Sequence, residues 1–236
     1  MVQHSSKTTH SNKNNLQVLF EDNHLLIVNK RAGDLVQGDK TGDKSLAEVV
    51  KSYIAENYNK PGAVYLGVIH RLDRPTSGVV AFARTSKALT RMNKLFAARE
   101  TEKTYWAVVK NMPPKSTDRL VHFLKRNPKQ NKSYAHSNEV PGSKKAALTY
   151  SVVKELNNYY LLNIELETGR HHQIRAQLAA IGCPIKGDLK YGFDRSNKDG
   201  SIHLHARKLT FVHPVQKEAL IVIAPPPEDA IWDACI

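Results

Sequence analysis

Cysteine is nearly absent from this 236-residue chain: Cys183 and Cys235 are its only two. They are too few for a disulfide framework and too far apart for a zinc pair, so both are expected reduced and structural. No stretch approaches the roughly 18 apolar residues of a membrane-crossing helix. The first residues also lack the apolar core of a signal peptide, so the expected location is the cytoplasm and no membrane contact is expected. A Gly-rich phosphate loop, a dinucleotide fingerprint and internal repeats are likewise missing. Acid is scarce as well, 22 Asp and Glu against 35 Lys and Arg, for a net charge of +13. Such an excess calls for a polyanionic partner. Nucleic acid fits best, because every phosphate neutralised releases counterions; an anionic membrane surface and plain solubility are the alternatives.

Residues 1–15 (MVQHSSKTTHSNKNN) are almost entirely polar and cannot offset the entropy of ordering, so they are expected to form a disordered tail. From Leu16 the pattern changes to LQVLF, a turn-prone Asp-Asn, then HLLIVNK, which predicts a β-hairpin. Residues 16–236 are long enough for a single domain with a proper core. Ser45 is a plausible N-cap for a helix to about Asn57, with Leu46, Val49, Val50, Tyr53 and Ile54 on one stripe. A second helix after Thr85 or Ser86 faces inward through Ala88, Leu89, Met92, Leu95 and Phe96, and outward through Lys87, Arg91 and Lys94. Strand-like runs dominate the rest, with so few helices between them that most neighbours must pair antiparallel. The fold class is therefore α+β. Arg119 to Lys145 holds seven basic residues and one acid, Glu139, and its Asn127, Pro128, Asn131, Pro141 and Gly142 predict a basic loop suited to a phosphate backbone.

Three clusters carry candidate chemistry. In GVIHRLDRPTSG, an extended chain through Asp73 places His70 and Leu72 on one side and Arg71 and Asp73 on the other. Pro75 pushes Arg74 out of helical geometry, so Asp73 should end a strand and enter a loop, where rigid scaffolds present reactive groups. In ETGRHHQIRAQLAAIGCPIKGD, a helix begins at Thr168 or Gly169 and ends at Gly182, with Ile174, Leu178 and Ile181 inward and His171 and Arg175 on the adjacent stripe. A core-facing arginine needs an anion. In EKTYWAVV, Tyr105 alternates with Trp106, and either aromatic suits a core. Each signal alone is ordinary, since a charged turn, a surface arginine and a packing tyrosine are the commoner identities of such residues.

Together, HRLDRPTSG, EKTYWAVV, TGRHHQIRAQL and LHARKLTFVHP resemble the RluA-type pseudouridine synthases, over about Leu16 to Ala224. The resemblance implies the pseudouridine-synthase fold, a long, bent, mostly antiparallel sheet with flanking helices and a central catalytic cleft. It implies isomerisation of uridine in ribosomal or transfer RNA after base flipping, with no cofactor and no metal. Carried over by position, Asp73 matches the essential aspartate, Tyr105 the active-site tyrosine, Arg175 the basic partner of the aspartate and Ile174 the apolar pocket residue. Arg71, His70, Arg170 and Lys103, in the same motifs, stand as candidate substrate contacts. Two departures show: Lys30, Arg31, Ala32, Gly33 replaces the Lys-Pro-x-Gly of many members, and the small N-terminal S4-like RNA-binding domain of many relatives is not expected in 15 polar residues. With no heptad pattern, a monomer without an obligate protein partner is expected. A non-catalytic RNA-binding module is the main alternative. A metal-dependent hydrolase built on His70, His171, His172, His203 and His205 is a weaker one, because no acid-rich ligand set accompanies them.

Overall fold

The computed structural model describes residues 10–39 and 42–236. Its elements, in chain order, are β1 (Val18–Glu21), β2 (Leu25–Lys30), α1 (Leu46–Asn57), β3 (Gly67–Val68), β4 (Ser77–Ala83), α2 (Ser86–Ala98) and β5 (Thr101–Val109). There follow β6 (Thr117–Asn127), β7 (Lys132–His136), β8 (Lys144–Glu155), β9 (Tyr160–Leu166), α3 (Gln173–Ala180), β10 (Leu204–Val212), β11 (Ala219–Ile223) and α4 (Ala230–Asp233). This is an α+β chain, and it divides into two compact units. Unit 1 holds the described residues to Glu102 together with Ala206–Pro227; unit 2 holds Lys103–His205 together with Glu228–Ile236.

In unit 1 the strands run β1-β2-β4-β10, with β3 on β4 and β11 on β10. The expected hairpin forms because Asp22 Oδ1 accepts the amides of His24 and Leu25 at 2.8 and 2.7 Å, an Asx turn that sets β1 against β2. Strands β2 and β4 are buried at every position, because a helix covers each face. Leu26, Val28, Val80 and Phe82 pack with Leu46, Val50 and Ile54 of α1. Leu25, Ile27, Val79 and Ala81 pack with Ala88 and Met92 of α2. Each large side chain so buried contributes about 1.5–3 kcal/mol. Both helix starts read from sequence are correct. Ser45 and Glu48 form a reciprocal capping box, and Thr85 Oγ1 accepts the Ala88 amide at 3.1 Å. Gly78 answers a steric demand, with φ +114° and the Ala206 backbone so close that a Cβ would overlap it.

Unit 2 is an antiparallel sheet in the order β5-β9-β8-β6-β7. On one face Ala107, Val109, Leu148, Leu162 and Ile164 pack with Ile174 and Leu178 of α3. On the other Val108 and Leu161 pack with Trp232 and Cys235. The cysteines are unbridged and buried, and burial pushes both thiols up, that of Cys235 to about 11, which keeps them unreactive near neutral pH.

Several expectations need correction. The basic 119–145 segment is mostly strand: β6 runs on to Asn127 and pairs with β7, with Lys125 opposite Tyr134, and it turns at the Pro128–Asn131 tip, with Asn131 at φ 45°, and again as expected at Pro141 and Gly142, with Gly142 at φ 80°. The turn-forming residues mark a hairpin bend, and alternation of exposed Lys125 with buried Leu124 is what a half-covered strand shows. Helix α3 begins at Gln173, later than Thr168, after His172 at φ 53°. Gln173 Oε1 accepts from Thr168 Oγ1 at 2.7 Å and from the Arg170 amide at 2.9 Å, holding that stretch as a loop, so His171 precedes the helix. Its end is as predicted, with Gly182 at φ +77°. Of the tail, residues 1–9 lie outside the described residues. His10 to Asn15 has partners: the Ser11 amide donates to buried Asp34 at 3.0 Å, and Lys13 reaches Glu56 at 2.9 Å.

Candidate active site

The extended segment of unit 1 that leads to Asp73 stops being strand at Val68, so simple alternation fails beyond it. His70 turns toward the α2 face, where Nε2 accepts the Ala81 amide at 3.2 Å and the ring stacks on Phe96 at 5.2 Å. Leu72 packs on the other face, with the α1 cluster. The two residues expected to share a side therefore diverge, because a β-ladder no longer fixes the pleat. His70 is committed to the fold, whereas Arg71 is exposed and Asp73 half-buried.

What holds Asp73 in place is a residue to which the sequence assigned no role. Lys30, at the end of β2, is 1 % exposed. Its ammonium donates to the carbonyls of Arg31, Arg74 and Thr76 at 2.9, 3.0 and 2.7 Å. Burial pulls its pKa from 10.5 down to about 7, opposed by the charges of Asp34 and Asp73 and assisted by Arg74. Two more contacts lock the same loop. The Gly33 amide donates to Arg74 O at 2.8 Å, and Arg74 Nε donates back to Gly33 O at 3.1 Å. The departure from Lys-Pro-x-Gly thus leaves the Lys30–Gly33 turn seated on the Asp73 segment. Thr76 N donates to Asp73 O at 3.0 Å, closing a turn.

In unit 2, Tyr105 lies on the face with Ala107 and Val109 and packs on the cluster that contains Ile174. Trp106 packs with Val108 on the opposite face, so the strand alternates as read. The next residue of α3, Arg175, is 6 % exposed. Its Nε and Nη2 donate to Asp188 at 2.6 and 2.8 Å. The anion that a core-facing arginine demands is thus supplied, within this unit, by Asp188. Asp188 closes the IKGD run of the second cluster, and the glycine before it meets a backbone demand, with φ +86° and Ser201 O 2.8 Å from where a Cβ would be. Arg170 is exposed and donates through Nε to Lys145 O at 3.2 Å. Lys103 Nζ stands 3.9 Å from where a Gly169 Cβ would be, beside the same loop. Unit 2 thereby gathers Lys103, Tyr105, Arg170, Ile174 and Arg175 around β5 and the start of α3, while Arg71 and Asp73 belong to unit 1.

Of the histidines weighed as metal ligands, His203 and His205 pack. His203 meets Asp229 at 2.9 Å and stacks on Trp232 at 5.2 Å, while His205 meets that ring edge-on. Among the described residues, no three His, Cys, Asp or Glu side chains form a group fit to hold a metal, and no helix is long and apolar enough to cross a membrane.

Comparison with known proteins identifies the family and the fold. The family model described as RNA pseudouridylate synthase matches residues 24–180. The chain is 33 % identical over 228 residues to ribosomal large subunit pseudouridine synthase D of Xanthomonas campestris, covering 91 % of this chain and 67 % of that protein. It is 31 % identical over 219 residues to ribosomal large subunit pseudouridine synthase C of Buchnera aphidicola, covering 89 % and 67 %. It thus spans about two thirds of these relatives. Among solved structures, human RNA pseudouridylate synthase domain containing 4 shares the fold, with a TM-score of 0.77 at 22 % identity over 93 % of this chain and 92 % of that one.

Proposed function

The chain belongs to the RNA pseudouridylate synthase family, and from that premise we propose that residues 16–236 act as one catalytic domain that isomerises uridine in structured RNA through Asp73. The reaction breaks the N1–C1′ bond and makes a C5–C1′ bond; C5 loses a proton and N1 gains one. Atoms and electrons balance without a co-reactant, so the chemistry asks for no cofactor. The uridine must first leave its stack, at a cost of a few kcal/mol that is least in loops and distorted pairs.

Asp73 acts either as nucleophile or as the base that takes a sugar proton. Either role needs the ionised carboxylate, and Arg175 is the residue that matches the family's basic partner of that aspartate. Tyr105 stacks on the flipped uracil beside the apolar Ile174 and assists proton removal from C5. Arg71, exposed two residues before Asp73, takes the vacated place in the stack or the phosphate of the flipped nucleotide. Lys103 and Arg170 bind the RNA backbone, while His70 shapes the segment from within. The enzyme works in the cytoplasm as a monomer.

The observation that carries this reading is the presentation of Asp73: a half-buried carboxylate on a loop whose carbonyls are gripped by a buried ammonium. Incubation with unmodified large-subunit ribosomal RNA and with transfer RNA transcripts, followed by nucleotide-resolution pseudouridine mapping, tests it. The ribosomal RNA comes first because the relatives carry its name. One or a few discrete uridines should convert, and Asp73→Asn should abolish conversion while keeping RNA affinity. RNA binding without conversion by the native protein supports the non-catalytic alternative, and conversion by Asp73→Asn at the native rate removes Asp73 from the chemistry.

A further inference from the structure

A buried arginine is costly, and a helix that needed only to fill its core would do so better with leucine or methionine. Arg175 is nonetheless built into unit 2 on three sides. Asp188, itself 1 % exposed, takes Nε–H and an Nη2–H in a fork. His172 Nε2 lies 3.1 Å from Nη1. The Tyr191 ring lies under the guanidinium, 5.1 Å from Cζ.

Proton bookkeeping fixes the rest. A guanidinium cannot accept, so His172 Nε2 must be the acceptor, and a neutral ring then carries its proton on Nδ1. Nδ1 is 3.0 Å from the Tyr191 hydroxyl, which accepts that proton. The hydroxyl also accepts the Ser133 amide at 2.9 Å and donates its own proton to Ser133 O at 3.1 Å. Every donor in the chain from β7 to α3 meets an acceptor, and only this tautomer achieves it. Burial, then the charge of Arg175, holds the ring neutral, with a pKa down at about 2.

We propose that Asp188, His172 and Tyr191 are positioning residues that fix the plane of the Arg175 guanidinium, with His172 locked as the neutral Nδ1–H tautomer. The inference rests on the catalytic role given above to Arg175. Three of the five N–H bonds of that group are oriented by this cradle, so its direction is set before RNA arrives, and such preorganisation shows in turnover more than in binding.

Asp188→Asn keeps the volume and breaks the fork. On whichever of the two RNAs the native protein converts, single-turnover conversion should fall about 100-fold while RNA affinity stays within about threefold, and Asp188→Glu should recover part of the loss. Tyr191→Phe removes only the hydroxyl link and should lose about tenfold, which keeps the test open if Asp188→Asn does not fold. Near-native conversion by both variants, or a parallel fall in RNA affinity, overturns the proposal. The cradle also has a readout free of activity: ring ¹⁵N spectra of native protein near pH 6 should show His172 neutral and protonated at Nδ1. A doubly protonated or Nε2–H ring overturns the cradle whatever the activity, whereas a native protein that converts neither RNA overturns the functional reading instead.

Discussion

Replacing Lys30 with methionine, which nearly conserves its volume, tests the grip on the Asp73 loop through a pH signature. In the native fold burial lowers the ammonium pKa from 10.5 to about 7, a gap that corresponds to about 5 kcal/mol at about 1.4 kcal/mol per pH unit. Between those two values the unfolded chain binds the proton and the folded chain releases it, so stability must rise with pH there. Below about pH 7 both states are charged and the full burial cost is present. From pH 6 to pH 9 the native protein should therefore gain about 2–3 kcal/mol relative to Lys30→Met, which has no such group. Groups that titrate alike in both proteins cancel in the difference. The variant should also loosen the loop, because Thr76 O loses its 2.7 Å donor, whereas Arg74 O keeps the Gly33 amide; one orphaned buried carbonyl costs about 1–3 kcal/mol. Urea unfolding followed by hydrogen exchange of β2 and β4 amides is the suitable assay, since Trp106 and Trp232 both lie in unit 2 and do not report on unit 1. A native-minus-variant stability that stays flat from pH 6 to pH 9, or that falls, refutes a buried lysine with a depressed pKa.

Other consequences are direct. Gly78→Ala meets both a φ of +114° and the Ala206 backbone, and should destabilise unit 1 by at least about 3 kcal/mol in denaturant unfolding; a loss under about 1 kcal/mol counts against the close approach of β4 to β10. Arg71→Ala should weaken RNA affinity more than it slows conversion of bound RNA, and unchanged affinity in a filter-binding assay rejects its place against the flipped nucleotide. Tyr105→Phe keeps stacking but deletes the hydroxyl, so rearranged but unfinished product should accumulate; normal product release dismisses the proton-removal role. Neutralising Lys125, Arg126 and Lys129 of the β6–β7 hairpin together should lower the slope of log affinity against log salt by about 2, and an unchanged slope takes the hairpin off the RNA path.

Much of the fold, and the motifs of the candidate site, were legible because their signals are local. Ser45 with Glu48 three residues on, and Thr85 before an amphipathic run, mark helix starts through contacts within one turn. Asp73, Tyr105 and Arg175 stood out as motif residues, and strand alternation correctly separated Tyr105 from Trp106. The misreadings share one cause. Helix α3 starts late because Gln173 reaches back to Thr168 and across to Ala147 O at 3.0 Å, and the basic segment is strand because β8 and β7 pair on either side of β6. Ala147 and strand β8 lie outside any window of ten residues around Gln173 and β6.

By itself the sequence determined the family, the α+β class, the basic surface and the three motifs, since composition, periodicity and residue order need no partner to be read. Only tertiary structure decided that Lys30 clamps a loop 46 positions away, that Asp188 grips Arg175 across 13, and that Ser133 and Tyr191 close a proton chain across 58. A buried charge finds its satisfaction wherever folding brings carbonyls, carboxylates and hydroxyls within about 3 Å, and that meeting leaves no mark in local spacing.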